Sequence, residues 1–260
     1  MNYGRINVKD NDILNMINKY TKENPLKVFT AFSGYDSQCL ALNRLGIDYE
    51  LVGWSEIDEY AIQAHNVLFP QWSDRNYGDI SAIDWNQVPD FDLFTYSSPC
   101  TDFSQAGLQL GGTEGSGTRS SLLWECRKTI IAKRPKYLLF ENVKALVSYK
   151  FKHLFEKWCK ELESYGYANF YQVLNSKDYG IPQSRERIFL ISILKTEDEP
   201  DPYYEFPKPI ELDKCVEDVL EDNVDEKYYM SQDAVDKYIK HLQEDYPKED
   251  WVVEDGVGLW

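Results

Sequence analysis

The sequence predicts an α/β fold: a mostly parallel sheet with helices on both faces. Short apolar runs of strand length alternate with segments whose apolar residues recur at helical spacing. The first run, LKVFTAF at 26–32, reads as a buried strand, as parallel sheets covered on both faces require. A length of 260 residues, with 43% hydrophobic and 15% aromatic residues, suffices for one sizeable core or a core plus a small appendage.

The elements follow in order. Residues 10–23 place Ile13, Leu14, Ile17 and Tyr20 on one helical face, an N-terminal helical extension over 1–25. After the 26–32 strand, a loop at 33–37 leads into a helix through Cys39, Leu40, Leu42 and Leu45, closed by Gly46. YELVGWSE at 49–56 is the second strand, and 58–69 the second helix. DLFTYSS at 92–98 is a strand, 122–132 a helix ended near Pro135, and KYLLFEN at 136–142 a strand. A helix over 151–164, a strand at 169–175 and a strong strand at 187–194 complete a domain expected over 26–195. Residues 200–209 contain four prolines and read as a linker within an acidic tail, 196–260.

Net charge is −16, an unpromising value for a nucleic-acid-binding protein. Its distribution changes that reading. Residues 195–260 carry 21 acidic and 7 basic side chains, whereas 1–194 carry 23 and 21, so the first three quarters are nearly neutral. No apolar run reaches membrane-spanning length and the N-terminus lacks signal-peptide features, so a cytoplasmic protein without a membrane partner is expected. Five cysteines without paired spacing and three scattered histidines predict reduced thiols and no metal site.

Ligands of open α/β sheets bind beyond the carboxyl ends of the strands. Phe32-Ser33-Gly34-Tyr35-Asp36-Ser37 follows the first strand, and Gly34 would let backbone approach a ligand, or simply form a tight turn. Glu56 ends the second strand. It can accept ribose hydroxyls or serve as a charge at a helix N-terminus with Asp58 as cap. Asp79, in Gly78-Asp79-Ile80, is a turn residue or a ligand contact. Pro99-Cys100 follows the 92–98 strand, and Glu141-Asn142-Val143 ends the next one. A thiolate and a carboxylate on one edge suit covalent catalysis with acid assistance; an inert buried cysteine is the plain alternative. Residues 106–121 hold five glycines, a flexible loop that closes over a substrate or is merely disordered. Gln183-Ser184-Arg185-Glu186-Arg187 sets two guanidinium groups two residues apart, for an anion or for a solvated edge.

In this order, with Tyr179-Gly180-Ile181-Pro182 before the last element, the set resembles the C5-cytosine DNA methyltransferase family over 27–194, with an echo in Phe206-Pro207-Lys208-Pro209. The resemblance implies a Rossmann-like S-adenosylmethionine-dependent methyltransferase fold and a bacterial or phage-encoded DNA (cytosine-5-)-methyltransferase acting on a flipped base in double-stranded DNA. It implies S-adenosyl-L-methionine as cofactor and S-adenosyl-L-homocysteine as product. Phe32 and Gly34 match the cofactor loop, Glu56 the ribose acid, and Asp79 the reader of the adenine amino group. Ile57 and Pro99 would complete the apolar contacts. Cys100 matches the nucleophile that attacks cytosine C6, Glu141 the residue at N3, and Arg185 and Arg187 the pair at the active site.

Three departures stand out. The cofactor loop has less glycine than the family usually shows. Ile57 stands where a tryptophan is common. The chain also stops at Trp260 without the recognition region and the two later motifs expected after the last strand. A second polypeptide supplying them, or a truncated product, is the expectation. Tyr228, Tyr229, Tyr238, Trp251 and Trp260 in the acidic tail are candidate anchors for a basic partner. A catalytically silent subunit and an RNA-directed enzyme are the competing readings.

Overall fold

The computed structural model of the chain describes residues 19–98 and 119–245, and the backbone alone at 119–121, 245, 253–254 and 257–258. Contacts divide the chain into two units, up to Asp213 and from Lys214 onward.

In the first unit, β1 (Leu26–Ala31) pairs in parallel with β2 (Tyr49–Ser55) on one side and β3 (Leu93–Tyr96) on the other. β4 (Tyr137–Val143) continues the parallel set beside β3. β6 (Glu186–Leu194) then lies antiparallel between β4 and the edge strand β5 (Tyr167–Asn175), giving the order β2-β1-β3-β4-β6-β5. The sheet is mostly parallel, as the alternation predicts, with β6 the one reversed strand of the six. The reversal has a simple cause. β5 and β6 are joined only by residues 176–185, too short for the crossover of a dozen or more residues that a parallel pair needs.

Helices cover both faces. α1 (Ser37–Leu45) and α2 (Glu59–Leu68) pack on one side, where Leu26, Val28, Cys39, Leu42, Leu51, Trp54 and Phe69 are buried together. α3 (Cys126–Lys133) and α4 (Lys152–Ser164) lie on the other. There Phe29, Phe94, Tyr96, Phe140 and Trp158 form the main core. Leu154, Phe155, Trp158, Cys159 and Leu162 give α4 one buried stripe at helical spacing, and Trp158 Nε1 donates to the Tyr96 hydroxyl at 3.0 Å. Each fully buried side chain of this size contributes about 1.5–3 kcal/mol.

The predicted boundaries hold within a residue or two for most elements. Gly46 closes α1 in the left-handed conformation, and Asp58 caps α2 by accepting from Ala61 N. Two segments differ. The helix expected over 122–132 begins as a 3-10 segment, Arg119–Glu125, the tighter winding common at helix N-termini. At the N-terminus, residues 10–18 lie outside the described residues. Lys19 is helical, but the chain bends at Thr21 and Asn24, each of which donates its amide to the other's carbonyl. The helix therefore ends at Lys19, short of Glu23, and Pro25 disfavours helical geometry at Asn24.

The proline-containing stretch read as a linker is packed. Tyr203 and Tyr204 lie against Phe170 of β5, the Tyr179 hydroxyl donates to Pro207 O at 2.9 Å, and Ile210 N donates to Asp178 O at 2.8 Å. The second unit holds 3-10 turns at Glu217–Val219 and Glu226–Tyr228, α5 (Gln232–Asp245), and the two-residue antiparallel strands β7 (Val253–Glu254) and β8 (Val257–Gly258). Val219, Leu220, Tyr228, Tyr229 and Met230 are exposed within it, while Trp251 and Trp260 lie outside the described residues. No described helix is long and apolar enough to cross a membrane.

Gly53 stands where the sheet leaves no room for a side chain. The β1–β2 register shifts between Val28 and Phe29, and a Cβ at Gly53 would stand 2.6 Å from the Tyr77 ring and 2.7 Å from the Phe29 ring. Gly53→Ala should therefore destabilise the fold by about 1–3 kcal/mol through overpacking. Urea unfolding at constant m-value measures this; an unchanged midpoint would show that the rings can yield.

Candidate active site

The parallel strands end on one edge of the sheet, and the reversed β6 begins there. The register places the ends of β1, β2, β3 and β4 side by side, with Ala31 opposite both Ser55 and Tyr96, and Tyr96 opposite Phe140. Arg187, near the start of β6, stands opposite Val143 at the end of β4.

Over β1 and β2 the edge is built from backbone and carboxylates. Phe32, Gly34 and Asp36 all adopt positive φ, at 54°, 57° and 67°. For Phe32 and Asp36 this costs roughly 1–2 kcal/mol each; for Gly34 it costs nothing, and a Cβ there would meet open space. Gly34 N donates to Glu56 Oε2 at 2.9 Å. The other oxygen of Glu56 accepts from Ile57 N at 2.8 Å and Asp58 N at 2.9 Å. Glu56 thus serves the approach to α2, and it also reaches across to the β1 loop. Three of its roughly four lone-pair positions are occupied, leaving one on Oε2 for a ligand donor. Ile57 is 72% exposed, an apolar side chain available at the same edge.

Asn76, which the sequence reading missed, ties this cluster to the Gly78–Asp79 turn. Its side chain donates to Glu56 O at 3.1 Å and accepts from Glu56 N at 3.2 Å and Gly78 N at 2.9 Å. The Ser55 hydroxyl adds a 2.6 Å bond to Gly78 O. Asp79 Oδ1 accepts from the amide and the hydroxyl of Ser81, which hold its carboxyl below the usual range. No described residue hydrogen-bonds its Oδ2.

Over β3, β4 and β6 the edge is a row of side chains. Glu141 and Arg187 form a diagonal cross-strand pair, Arg187 Nε lying 3.1 Å from Glu141 Oε1. Ser97, just past β3, donates its hydroxyl to Glu141 Oε2 at 2.6 Å and stands 3.1 Å from Glu141 O. Both carboxylate oxygens are therefore fixed, one by each neighbouring strand. The buried Asn142 side chain donates to Ser98 O at 3.0 Å and clips the ends of β3 and β4 together. Ser97, like Asn76, was absent from the sequence reading. The serine pair before Pro99-Cys100 was its only trace.

The two arginines separate. Arg187 goes to Glu141, whereas Arg185 lies before β6 with its backbone N bound to Asn175 Oδ1 and its side chain exposed. Glu186, between them, pairs with Lys144 at 2.8 Å. Pro99, Cys100 and most of the glycine-rich loop, 99–118, lie outside the described residues.

The sequence model of the C-5 cytosine-specific DNA methylase family matches residues 26–254. The chain belongs to this family. It is 40% identical to the type II methyltransferase M2.ScrFI of Lactococcus lactis subsp. cremoris, over 81% of this chain and 71% of that protein. It is 32% identical to the orphan methyltransferase M.Rho11sI of Bacillus phage rho11s, over 88% of this chain and 50% of that one. The type II methyltransferase M.NlaX of Neisseria lactamica matches at 34% over 79% of this chain and 63% of its own length. Apart from the Lactococcus protein, these relatives are matched over less than two thirds of their length. Among solved structures, the Dnmt2 methyltransferase of S. pombe superposes with a TM-score of 0.61 at 22% identity, over 84% of this chain and 66% of that one. The methyltransferase EhMeth of Entamoeba histolytica gives 0.64 at 19%, over 81% and 64%. These establish the Rossmann-like methyltransferase fold that the motif order implied. The family reading of the sequence is borne out.

The four described cysteines differ sharply in environment. Burial pushes the thiols of Cys39 and Cys126 far up, and that of Cys159 up to about 12, so they remain protonated at neutral pH. Cys215 is exposed, with its thiol raised by Glu217 and Asp218. Iodoacetamide at pH 8 should label Cys215 in the native protein while sparing Cys39, Cys126 and Cys159. Peptide mass spectrometry reads this directly, and labelling of a buried cysteine at a comparable rate would contradict the packing described.

Proposed function

We propose that this chain is the catalytic part of a DNA (cytosine-5) methyltransferase in which Cys100 is the nucleophile and S-adenosylmethionine the methyl donor. The observation that carries the reading is the Ser97–Glu141–Arg187 row, set at the sheet edge where the sequence runs on into Pro99-Cys100. Cys100 follows Ser98 by two residues, a chain span of at most about 7 Å. The buried thiols of Cys39, Cys126 and Cys159 are poor nucleophiles, which supports Cys100 over them in that role.

The other half of the edge fits the donor molecule. The open space beyond Gly34, the spare lone pair of Glu56, the exposed Ile57 and the Oδ2 of Asp79, unbonded among the described residues, would supply backbone approach, a ribose acceptor, an apolar contact and an acceptor for an exocyclic amine. When bound, S-adenosylmethionine supplies a methyl group on a sulfonium, an electrophile for an activated carbon.

The chain's own residues would activate that carbon. Cytosine C5 is a poor nucleophile. Addition of the Cys100 thiolate at C6 breaks the C5–C6 double bond and delivers its electron pair toward C5, with Glu141 holding N3 in the protonated form that accepts charge. Arg187 fixes Glu141, and Arg185 is free to meet the base carbonyl or a phosphate. C5 would use that pair to take the methyl group, leaving the donor as the neutral thioether S-adenosylhomocysteine; loss of the C5 proton to a base then restores the double bond and expels the thiolate. The target atom is hidden in a duplex, so the base must be flipped out to reach this edge. Double-stranded DNA is the substrate in this reading.

Cys100→Ser should abolish methyl transfer and keep cofactor binding, since a hydroxyl is far less nucleophilic than a thiolate. On DNA carrying 5-fluorocytosine the native protein should form a covalent adduct at Cys100, because fluorine cannot leave C5 as the proton does. An adduct on another cysteine, or transfer to RNA and never to DNA, would sink the proposal. Ser97→Ala should lower the rate of transfer roughly 10- to 150-fold, the equivalent of about 1.5–3 kcal/mol for one hydrogen bond to a carboxylate, with the KM for S-adenosylmethionine unchanged. An unaltered rate would show that Arg187 alone orients Glu141.

A further inference from the structure

The β1–α1 loop holds two non-glycine residues in the left-handed region on either side of Gly34, and something must keep them there. Phe32 packs against the main core. Asp36 is held differently. It is fully buried, as is His65 of α2, whose Nε2 lies 3.6 Å from Asp36 Oδ2. The same carboxylate oxygen accepts from Thr30 Oγ1 of β1 at 2.9 Å, and the other accepts from Cys39 N at the start of α1. The imidazole stacks on Trp54, ring centroids 3.7 Å apart, and packs against Phe69. Neither ring nitrogen has a hydrogen bond among the described residues, and both are buried. An imidazole always carries at least one N–H, and the Asp36 carboxylate, just beyond hydrogen-bond distance at 3.6 Å, is the charged group that faces it.

We propose that Asp36 and His65 are positioning residues for the cofactor loop: a buried carboxylate–imidazole clamp that ties the loop to α2 and keeps Gly34 in its ligand-binding shape. The link to the ligand is short. Asp36 N donates to Ser33 O at 2.8 Å, closing the turn that contains Gly34, and Gly34 N holds Glu56 Oε2. Loosening Asp36 opens that turn and releases Gly34 from Glu56, which keeps only its bonds to Ile57 N and Asp58 N. Helix capping alone needs only one oxygen of Asp36; the second is turned to β1 and α2, which a simple cap does not require. The inference rests on the reading of this edge as the S-adenosylmethionine site.

The test uses the whole chain and three variants. His65→Phe keeps a stacking ring and removes the N–H; His65→Gln returns a donor; Asp36→Asn keeps the cap and tolerates positive φ without the charge. Affinity for S-adenosylhomocysteine is measured by calorimetry, and amide exchange at residues 33–37 and in β3 and β4 by mass spectrometry. The clamp predicts a tenfold or greater loss of affinity in His65→Phe, with faster exchange confined to 33–37 and partial recovery of both in His65→Gln. If His65→Phe does not fold, Asp36→Asn is read by the same two measurements. A folded variant with native loop exchange overturns the clamp, as does one whose exchange rises equally in β3 and β4 while affinity is kept. Absence of binding by the native chain would instead count against the methyltransferase reading, and loop exchange in the variants would still decide the clamp.

Discussion

Arg187 reaches Glu141 because β6 runs against its neighbours. In a fully parallel sheet the first residues of β6 would lie at the opposite edge from the last residues of β4, about one strand length away. The connection from β5 forbids that arrangement. Residues 176–185 fold into one 3-10 turn, Ser176–Tyr179, closed by Gly180 at φ 80°, and Asn175 accepts from both Lys177 N and Arg185 N across its mouth. The chain has no choice but to return antiparallel, and the return brings the arginine to the carboxylate. The Tyr-Gly-Ile-Pro segment is thus part of the machinery that assembles the site, although none of its side chains need touch a substrate.

The two carboxylates of the edge are held by opposite means. Glu56 is gripped by three backbone amides, two of them its immediate successors, so its orientation is set by local chain geometry. Glu141 is gripped by side chains from strands distant in sequence, Ser97 and Arg187. A one-residue slip of β6 would turn Arg187 to the other face and release Glu141, while Glu56 would be untouched. The half-buried ion pair therefore contributes less to stability than to geometry, since desolvation offsets much of its Coulomb attraction.

This division explains what could be read from the sequence. Strand and helix order, the Gly46 stop, the Asp58 cap and the placement of Glu56 and Glu141 at strand ends were legible, because each leaves a local mark in period or in residue type. The family resemblance extended that reading to residues whose individual signals were weak, such as Asp79. The reversal of β6 was not legible from alternation alone, which says that strands follow helices but not what happens when a helix is missing. Asn76, Ser97 and His65 were not legible either. Each acts through one side chain on a residue 20 or more positions away, and a single long-range contact leaves no periodic trace. The proline-containing stretch after β6 misled for a related reason: proline disfavours regular structure, yet nothing prevents an irregular segment from packing against an edge strand, as Tyr203 and Tyr204 do on Phe170.

The strand order also locates the meeting point of the two halves. From β1 the chain moves outward to β2, then crosses back to β3 on the other side, so the strand order reverses between β1 and β3 while the strands stay parallel. Loops leaving the carboxyl ends of such neighbours diverge to opposite faces and leave a crevice between them. One lip is the Phe32–Gly34 turn; the other begins with Ser97 and Ser98. The helices beneath belong to different cores, α1 and α2 with the Trp54 cluster and α4 with the Trp158 cluster. A methyl donor seated on the first lip and a base presented to the second would thus be supported by separately packed layers that share only the sheet. Register in β1 and β3, not the packing of either helical layer, then sets the distance between donor and acceptor.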